Sequence, residues 1–164
     1  MSRGFVKEGD QEEIPVIPPR AALPQGVMNY VTPNGHQELL QEKEDLENEK
    51  RNLSDKNERE RRQDKMFIDG KIKLLNQRIN SARIISLEGQ DSDEVRFGAT
   101  VKFNNGKKEL QFQIVGVDEA NIKKRKIAFM APIAKALIGK KVGEVAEFKR
   151  GSQVQKLKVL EINY

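Results

Sequence analysis

Apolar residues follow two different periods along the chain, and between them lies a stretch that has almost none. Leu39, Leu46 and Leu53 recur every seven residues, with Leu40 beside the first. Further on, Ile68, Ile72, Leu75, Ile79 and Ala82 are spaced 4, 3, 4 and 3, the spacing of a coiled-coil seam. Between the two, Asn52 to Lys65 reads NLSDKNERERRQDK, with Leu53 its single aliphatic residue. A seam this sparse needs a partner strand. Folding back supplies one: Leu39 opposite Ile79 and Leu46 opposite Ile72 predict an antiparallel hairpin turning near residue 59. Turn chemistry favours Asn52-Leu53-Ser54-Asp55 instead, with Ser54 or Asp55 capping the second helix. The tip is therefore expected within residues 52–61. One continuous helix that dimerises is the alternative, because no Pro or Gly lies between Gly35 and Gly70.

From Glu94 onward the period becomes two. Strands are expected at Glu94–Phe97, Ala99–Phe103, Glu109–Val115, Lys126–Phe129, Glu144–Lys149 and Gln155–Ile162. Asn104-Asn105-Gly106 marks a hairpin turn. Pro132 to Gly139 has the Pro-first, Gly-last signature of one or two helical turns. Upstream, Thr32-Pro33 is a helix start, with Thr as N-cap and Pro in the first turn. Met1 to Val31 contains Pro15, Pro18, Pro19 and Pro24 and no period, so it reads as a loosely ordered tail of extended geometry. The fold class is α+β: a tail (1–31), an antiparallel coiled-coil hairpin (32–85), and a mainly antiparallel sheet domain with one short helix (86–164).

Composition narrows the chemistry. The 164 residues contain no cysteine, which excludes disulfides, thiolate metal sites and a cysteine nucleophile. The only histidine, His36, stands in the first turn of the first helix with no second ligand nearby and reads as a surface residue. The serines lie in no nucleophile motif, and no Walker or Rossmann glycine pattern occurs. Asp118-Glu119 is an adjacent acidic pair in a loop and reads as solvated. The net charge of +5 is spread among 25 acidic residues and is a weak nucleic-acid signal. No apolar run approaches the roughly 18 residues of a membrane span, and the first residues lack the apolar core of a secretory signal. A cytoplasmic interaction protein, not an enzyme, is expected.

Four segments of the C-terminal region carry a resemblance. They are Phe97-Gly98-Ala99-Thr100-Val101, Ile114-Val115-Gly116 with Asp118-Glu119-Ala120, Ala131-Pro132-Ile133-Ala134 with Ala136-Leu137-Ile138-Gly139-Lys140, and Val159-Leu160-Glu161-Ile162-Asn163-Tyr164. In the helices, Thr32-x-x-Gly35-x-x-x-Leu39, Phe67-Ile68-x-Gly70-Lys71-Ile72 and Asn80-Ser81-Ala82 add to it. In order and spacing these resemble the Gre family of bacterial transcription elongation factors, over residues 30–164.

The resemblance implies an antiparallel coiled coil followed by a domain with the fold of FK506-binding proteins. It implies RNA polymerase as the partner: the C-terminal domain at the rim of the secondary channel, the coiled coil inside it. In that family, acids at the tip help hold the second magnesium ion of the polymerase and prompt transcript cleavage; a hard cation seeks carboxylate oxygens. The family tip reads roughly Asp-Leu-Ser-Glu-Asn-Ala-Glu, and the matching stretch here is Asn52-Leu53-Ser54-Asp55-Lys56-Asn57-Glu58. Asn52 removes one carboxylate, while Asp55, Glu58 and Glu60 remain as candidate tip acids. Lys56, Arg59, Arg61 and Arg62 bring positive charge to the channel-facing tip, and like charge disfavours a cation. Between Gly35 and Phe67 the chain is also about fifteen residues shorter than the family pattern, roughly 11 Å of reach per arm at 1.5 Å per residue.

Partner-binding residues carried over by the resemblance are Ala131, Pro132 and Ile133; Met130, just before them, is expected to belong to the same surface although it departs from the small polar residues common there. No metal or cofactor of its own is expected; indirect contact with the polymerase magnesium ion, and with nucleic acid in the elongation complex, stays open. The expectation is a monomeric, non-membrane regulator that occupies the polymerase channel without strong cleavage stimulation. A true cleavage factor is the first alternative. A peptidyl-prolyl isomerase or chaperone is the remote one, since its aromatic pocket would need Phe97, Phe103, Phe112, Phe129, Phe148 or Tyr164, several of which the core requires.

Overall fold

The computed structural model describes residues 13–53 and 57–164. Along the chain, β1 (Asn29–Val31), α1 (Pro33–Arg51), α2 (Glu58–Ser81) and β2 (Ala82–Ile84) make a helical unit. β3 (Thr100–Asn104), β4 (Glu109–Val115), β5 (Lys126–Ala128), α3 (Pro132–Leu137), β6 (Val145–Arg150) and β7 (Gln153–Asn163) make a sheet unit.

Thr32 starts α1 as the sequence suggests: its hydroxyl accepts from Gly35 N at 3.0 Å, and Pro33 fills the first turn. α1 stops at Arg51, with Asn52 as its C-cap. The cap of α2 is Asn57, whose side chain accepts from Glu60 N at 2.9 Å. Capping by Ser54 or Asp55 is therefore replaced by capping three or two residues later, and Glu58 to Arg62 belong to a helix instead of a turn. α2 returns alongside α1, and the buried contacts are Leu39 and Leu46 on α1 with Ile68 and Leu75 on α2. Ile72, Ile79 and Leu53 pack at the margin of this cluster.

The base of the helical unit departs from expectation. Asn29–Val31 pairs in parallel with Ala82–Ile84, and Asn29 Nδ2 donates to Arg78 O at 3.0 Å. The second helix thus ends at Ser81, short of the expected 85. Residues up to 31 were expected to be loose tail; three of them form a strand, because Asn29 and Val31 bury against the helix ends. The proline-containing residues before it are also held. Ile17 crosses α2 at Gly70, where an added Cβ would come within 2.5 Å of the Ile17 side chain.

The five-stranded sheet has the order β5-β4-β3-β7-β6, antiparallel throughout except for the parallel pair β4–β5. Its one buried face carries Val101, Phe103, Ile114, Leu157 and Val159, covered by Ala134 and Leu137 of α3. Burial on β7 switches from odd to even positions between Val159 and Ile162. A register shift against Lys102/Phe103 inserts one extra residue there and turns the following side chains over. The expected strand Glu94–Phe97 is not one: Glu94 makes an isolated bridge with Lys141, and Val95 exchanges backbone hydrogen bonds with Lys140 O and Gly139 N. The hairpin turn at Asn104–Gly106 is present, with Asn104 Oδ1 accepting from Gly106 N at 2.7 Å and Gly106 at φ 90°.

Candidate functional site

The free end of the helical pair, the turn from β5 into α3 and the junction of the two units hold the residues of interest. At the free end of the helical pair, Glu58 to Arg62 are exposed at every position, so no part of α1 covers this turn and a half of α2. Lys50 Nζ meets Asp69 Oδ1 at 2.6 Å, which sets the last turn of α1 beside the middle of α2. Glu58 Oε1 lies 3.6 Å from Arg62 Nη1, one helical turn away. Glu60, two residues on, points about 200° round the helix from Glu58, so the two carboxylates do not converge on one ion. Arg51 bonds the Asn48 side chain at the end of α1. Arg59 and Arg61 are exposed. Ser54, Asp55 and Lys56 lie outside the described residues. Among the described residues no group of three His, Asp or Glu side chains is placed to hold a metal ion.

At the end of the sheet where β4 and β5 finish side by side, with Val115 opposite Ala128, β5 runs into α3 through Met130 and Ala131. Ala131 N donates to Ala128 O at 2.9 Å, a tight turn that leaves Ala131 as N-cap without a side-chain acceptor. Ala131 and Ile133 pack against the sheet core, Met130 is half-buried, and Pro132 is exposed in the first turn. Phe129, just before them, joins Tyr30 and Phe97 in a triangle of rings with centroids 5.7–5.9 Å apart. Tyr30 comes from β1, so this aromatic cluster also fastens the helical unit to the sheet.

The junction holds what the sequence reading missed. Asp118 and Glu119 are not solvated: their side chains are 5% and 3% exposed. Thr32 Oγ1 lies 2.7 Å from both Glu119 carboxylate oxygens, and Lys126 Nζ 3.4 Å from Oε1. An added Cβ at Gly35 would sit 2.4 Å from Glu119 Oε2. The glycine at this helical position therefore serves the close approach of a carboxylate. Arg20, from the proline-containing segment, donates through Nη1 and Nη2 to Glu42 of α1 at 2.7 and 3.0 Å and through Nε to Asp118 at 2.9 Å. The Glu42 carboxylate raises the Arg20 pKa above its ordinary value, with Asp118 adding to it, while burial pulls the other way. Arg78 of α2 stands 3.6 Å from Asp118 Oδ2 and also donates to Ala21 O. One acidic loop thus gathers the start of α1, the end of α2 and the N-terminal segment. The only advance sign was Thr32 and Gly35 at fixed spacing; nothing in the sequence joined them to residue 119.

Residues 90–164 match the family model for the C-terminal region of the transcription elongation factors GreA and GreB. Over 105 residues the chain is 40% identical to transcription elongation factor GreA of Caldanaerobacter subterraneus subsp. tengcongensis, covering 63% of this chain and 67% of that protein. The chain belongs to the GreA/GreB family. A second GreA, from Rhodospirillum rubrum, is 42% identical over 90 residues, 54% of this chain and 57% of that one. Against the first curated relatives it matches, the chain spans somewhat less than two thirds of their length. A crystal structure of Thermus aquaticus Gfh1 is similar over 82% of this chain and 97% of its own, at 22% identity and a TM-score of 0.41. Among the described residues no helix is long and apolar enough to cross a membrane.

Proposed function

We propose that this GreA/GreB-family protein is a transcription regulator that binds RNA polymerase at its secondary channel and does not strongly stimulate transcript cleavage. In this reading α1 and α2 act as an antiparallel coiled-coil probe, and the sheet unit, with an FKBP-like fold, is the docking base. Family membership supports the partner. The observation that carries the absence of strong cleavage is the tip: Glu58 is engaged by Arg62, and Glu60 faces away from it. Four basic side chains, Lys56, Arg59, Arg61 and Arg62, stand among the three acids Asp55, Glu58 and Glu60. A divalent ion needs several oxygens at about 2.0–2.6 Å, and a mixed, net basic end supplies them poorly. The magnesium ion concerned belongs to the polymerase; this chain has no resident metal in the proposal.

Docking is assigned to Met130–Ile133, where an exposed proline and a half-buried methionine border the aromatic triangle. Pro132→Glu tests it, because an acid in the first helical turn suits the helix N-terminus and leaves α3 intact. Gel filtration with core RNA polymerase should give co-elution of the wild type and at least a tenfold weaker association of Pro132→Glu. Undiminished association would move the docking surface elsewhere.

A further inference from the structure

The charge of this chain is divided between its two units. Residues 94–164 carry fifteen Lys and Arg against seven Asp and Glu, whereas residues 1–93 carry fifteen against eighteen. The excess in the sheet unit has a place. Asn104 pairs with Glu109 on one side and Lys158 on the other, so the turn carrying Lys107 and Lys108 leaves the sheet beside the stretch of β7 that holds Lys156. Beyond Asn104, β6 and β7 continue as a two-stranded ribbon to the rung Arg150↔Gln153, about 17 Å further at 3.4 Å per residue. Lys149 pairs with Val154, and side chains alternate, so Lys149, Lys156 and Lys158 share the solvent face of this ribbon.

Lys107, Lys108, Lys149, Arg150, Lys156 and Lys158 thus cluster at the sheet end opposite the acidic junction. None of the six takes part in an ion pair among the described residues. The nearby acids Glu109 and Glu161 are both engaged by Lys102, and Glu147, across from Lys156, is the remaining carboxylate on the ribbon face. Lysines at a sheet edge also discourage strand-to-strand association, but edge protection needs one or two charges, not six gathered from two hairpins.

We propose that these two hairpins form a binding surface for the phosphate backbone of duplex nucleic acid. Duplex is favoured over single strand because the exposed ribbon face offers no aromatic ring for bases to stack on: Phe148 packs against the core. Contacts from Lys and Arg alone position a backbone without reading sequence. The surface lies at the other end of β4 from the junction and uses no residue of the helical tip.

Fluorescence anisotropy of the full chain with a labelled DNA duplex of about 20 base pairs tests this without polymerase, so its failure is separate from that of the polymerase reading. Four to six phosphate contacts predict a slope of log affinity against log salt of about −3.6 to −5.4, a loss of roughly 150- to 1,800-fold between ~50 and ~200 mM salt. Lys107→Gln/Lys149→Gln/Lys156→Gln together should make the slope shallower by about 3. Lys123→Gln/Lys124→Gln, in the exposed turn before β5, should leave it unchanged. All five positions are exposed, and circular dichroism checks that both variants keep the fold. Salt-insensitive or undetectable binding, equal losses in the two variants, or tighter binding to the single strand would each overturn the proposal.

Discussion

Gly35 illustrates how one residue decides whether the two units meet. In an exposed helix, Gly→Ala gains about 1 kcal/mol. Here the new methyl would overlap Glu119, whose carboxylate is pinned between Thr32 and Lys126 and cannot swing away. Gly35→Ala should therefore destabilise by about 1–3 kcal/mol, read as a lower midpoint in urea unfolding. Thr32→Ala removes the α1 cap and a hydrogen bond to a buried carboxylate, and should cost about 2–4 kcal/mol. Thr32→Ser should recover most of that. Tyr164 gives the pH-dependent case. Its hydroxyl donates to Glu94 O at 2.6 Å and accepts from Arg96 N at 3.0 Å, and burial raises its pKa above the ordinary phenol value. Above the unfolded pKa near 10 the unfolded chain releases the phenolic proton first. Stability is then lost as pH rises through the folded pKa, and the pH profile of Tyr164→Phe should be flatter in that alkaline window.

Among the elements, the segment from Ile14 to Ala21 behaves as a strap. Ile17 rests on Gly70 of α2, and Arg20 ties α1 to the loop after β4. Arg20→Ala leaves Asp118 buried with only Arg78 nearby, and should cost about 2–3 kcal/mol in denaturant unfolding. Arg20→Lys keeps the charge but not the fork, and should fall between. Most elements were legible beforehand: the heptad leucines, the 4-3-4-3 seam and the alternating strands carry local periods, which need no tertiary information. The strap was not, because a lone arginine among prolines has no period. β1 and β2 were missed for a related reason: three-residue strands are too short to alternate visibly, and their pairing joins residues some fifty apart. Glu94–Phe97 looked like a strand through Val95 and Phe97, yet these side chains serve the core and the aromatic triangle from an irregular turn.

At the scale of the whole molecule, charge and packing are arranged in opposition. The buried acids Asp118 and Glu119 hold the helical unit to the sheet, and cations without an ion pair among the described residues gather at the opposite end of the sheet. The tip residues were nameable from sequence by their resemblance to a family motif. Their ion pairing, and the divergence of Glu58 and Glu60, required the helix to begin at Glu58. The central claim is that this tip occupies the channel without recruiting the catalytic ion, and RNA cleavage by backtracked RNA polymerase measures it directly. With co-elution verified, saturating protein should leave the cleavage rate of the stalled complex within about twofold of that without it, a change of under ~0.5 kcal/mol in barrier. Strong stimulation that disappears in Asp55→Ala would contradict the account.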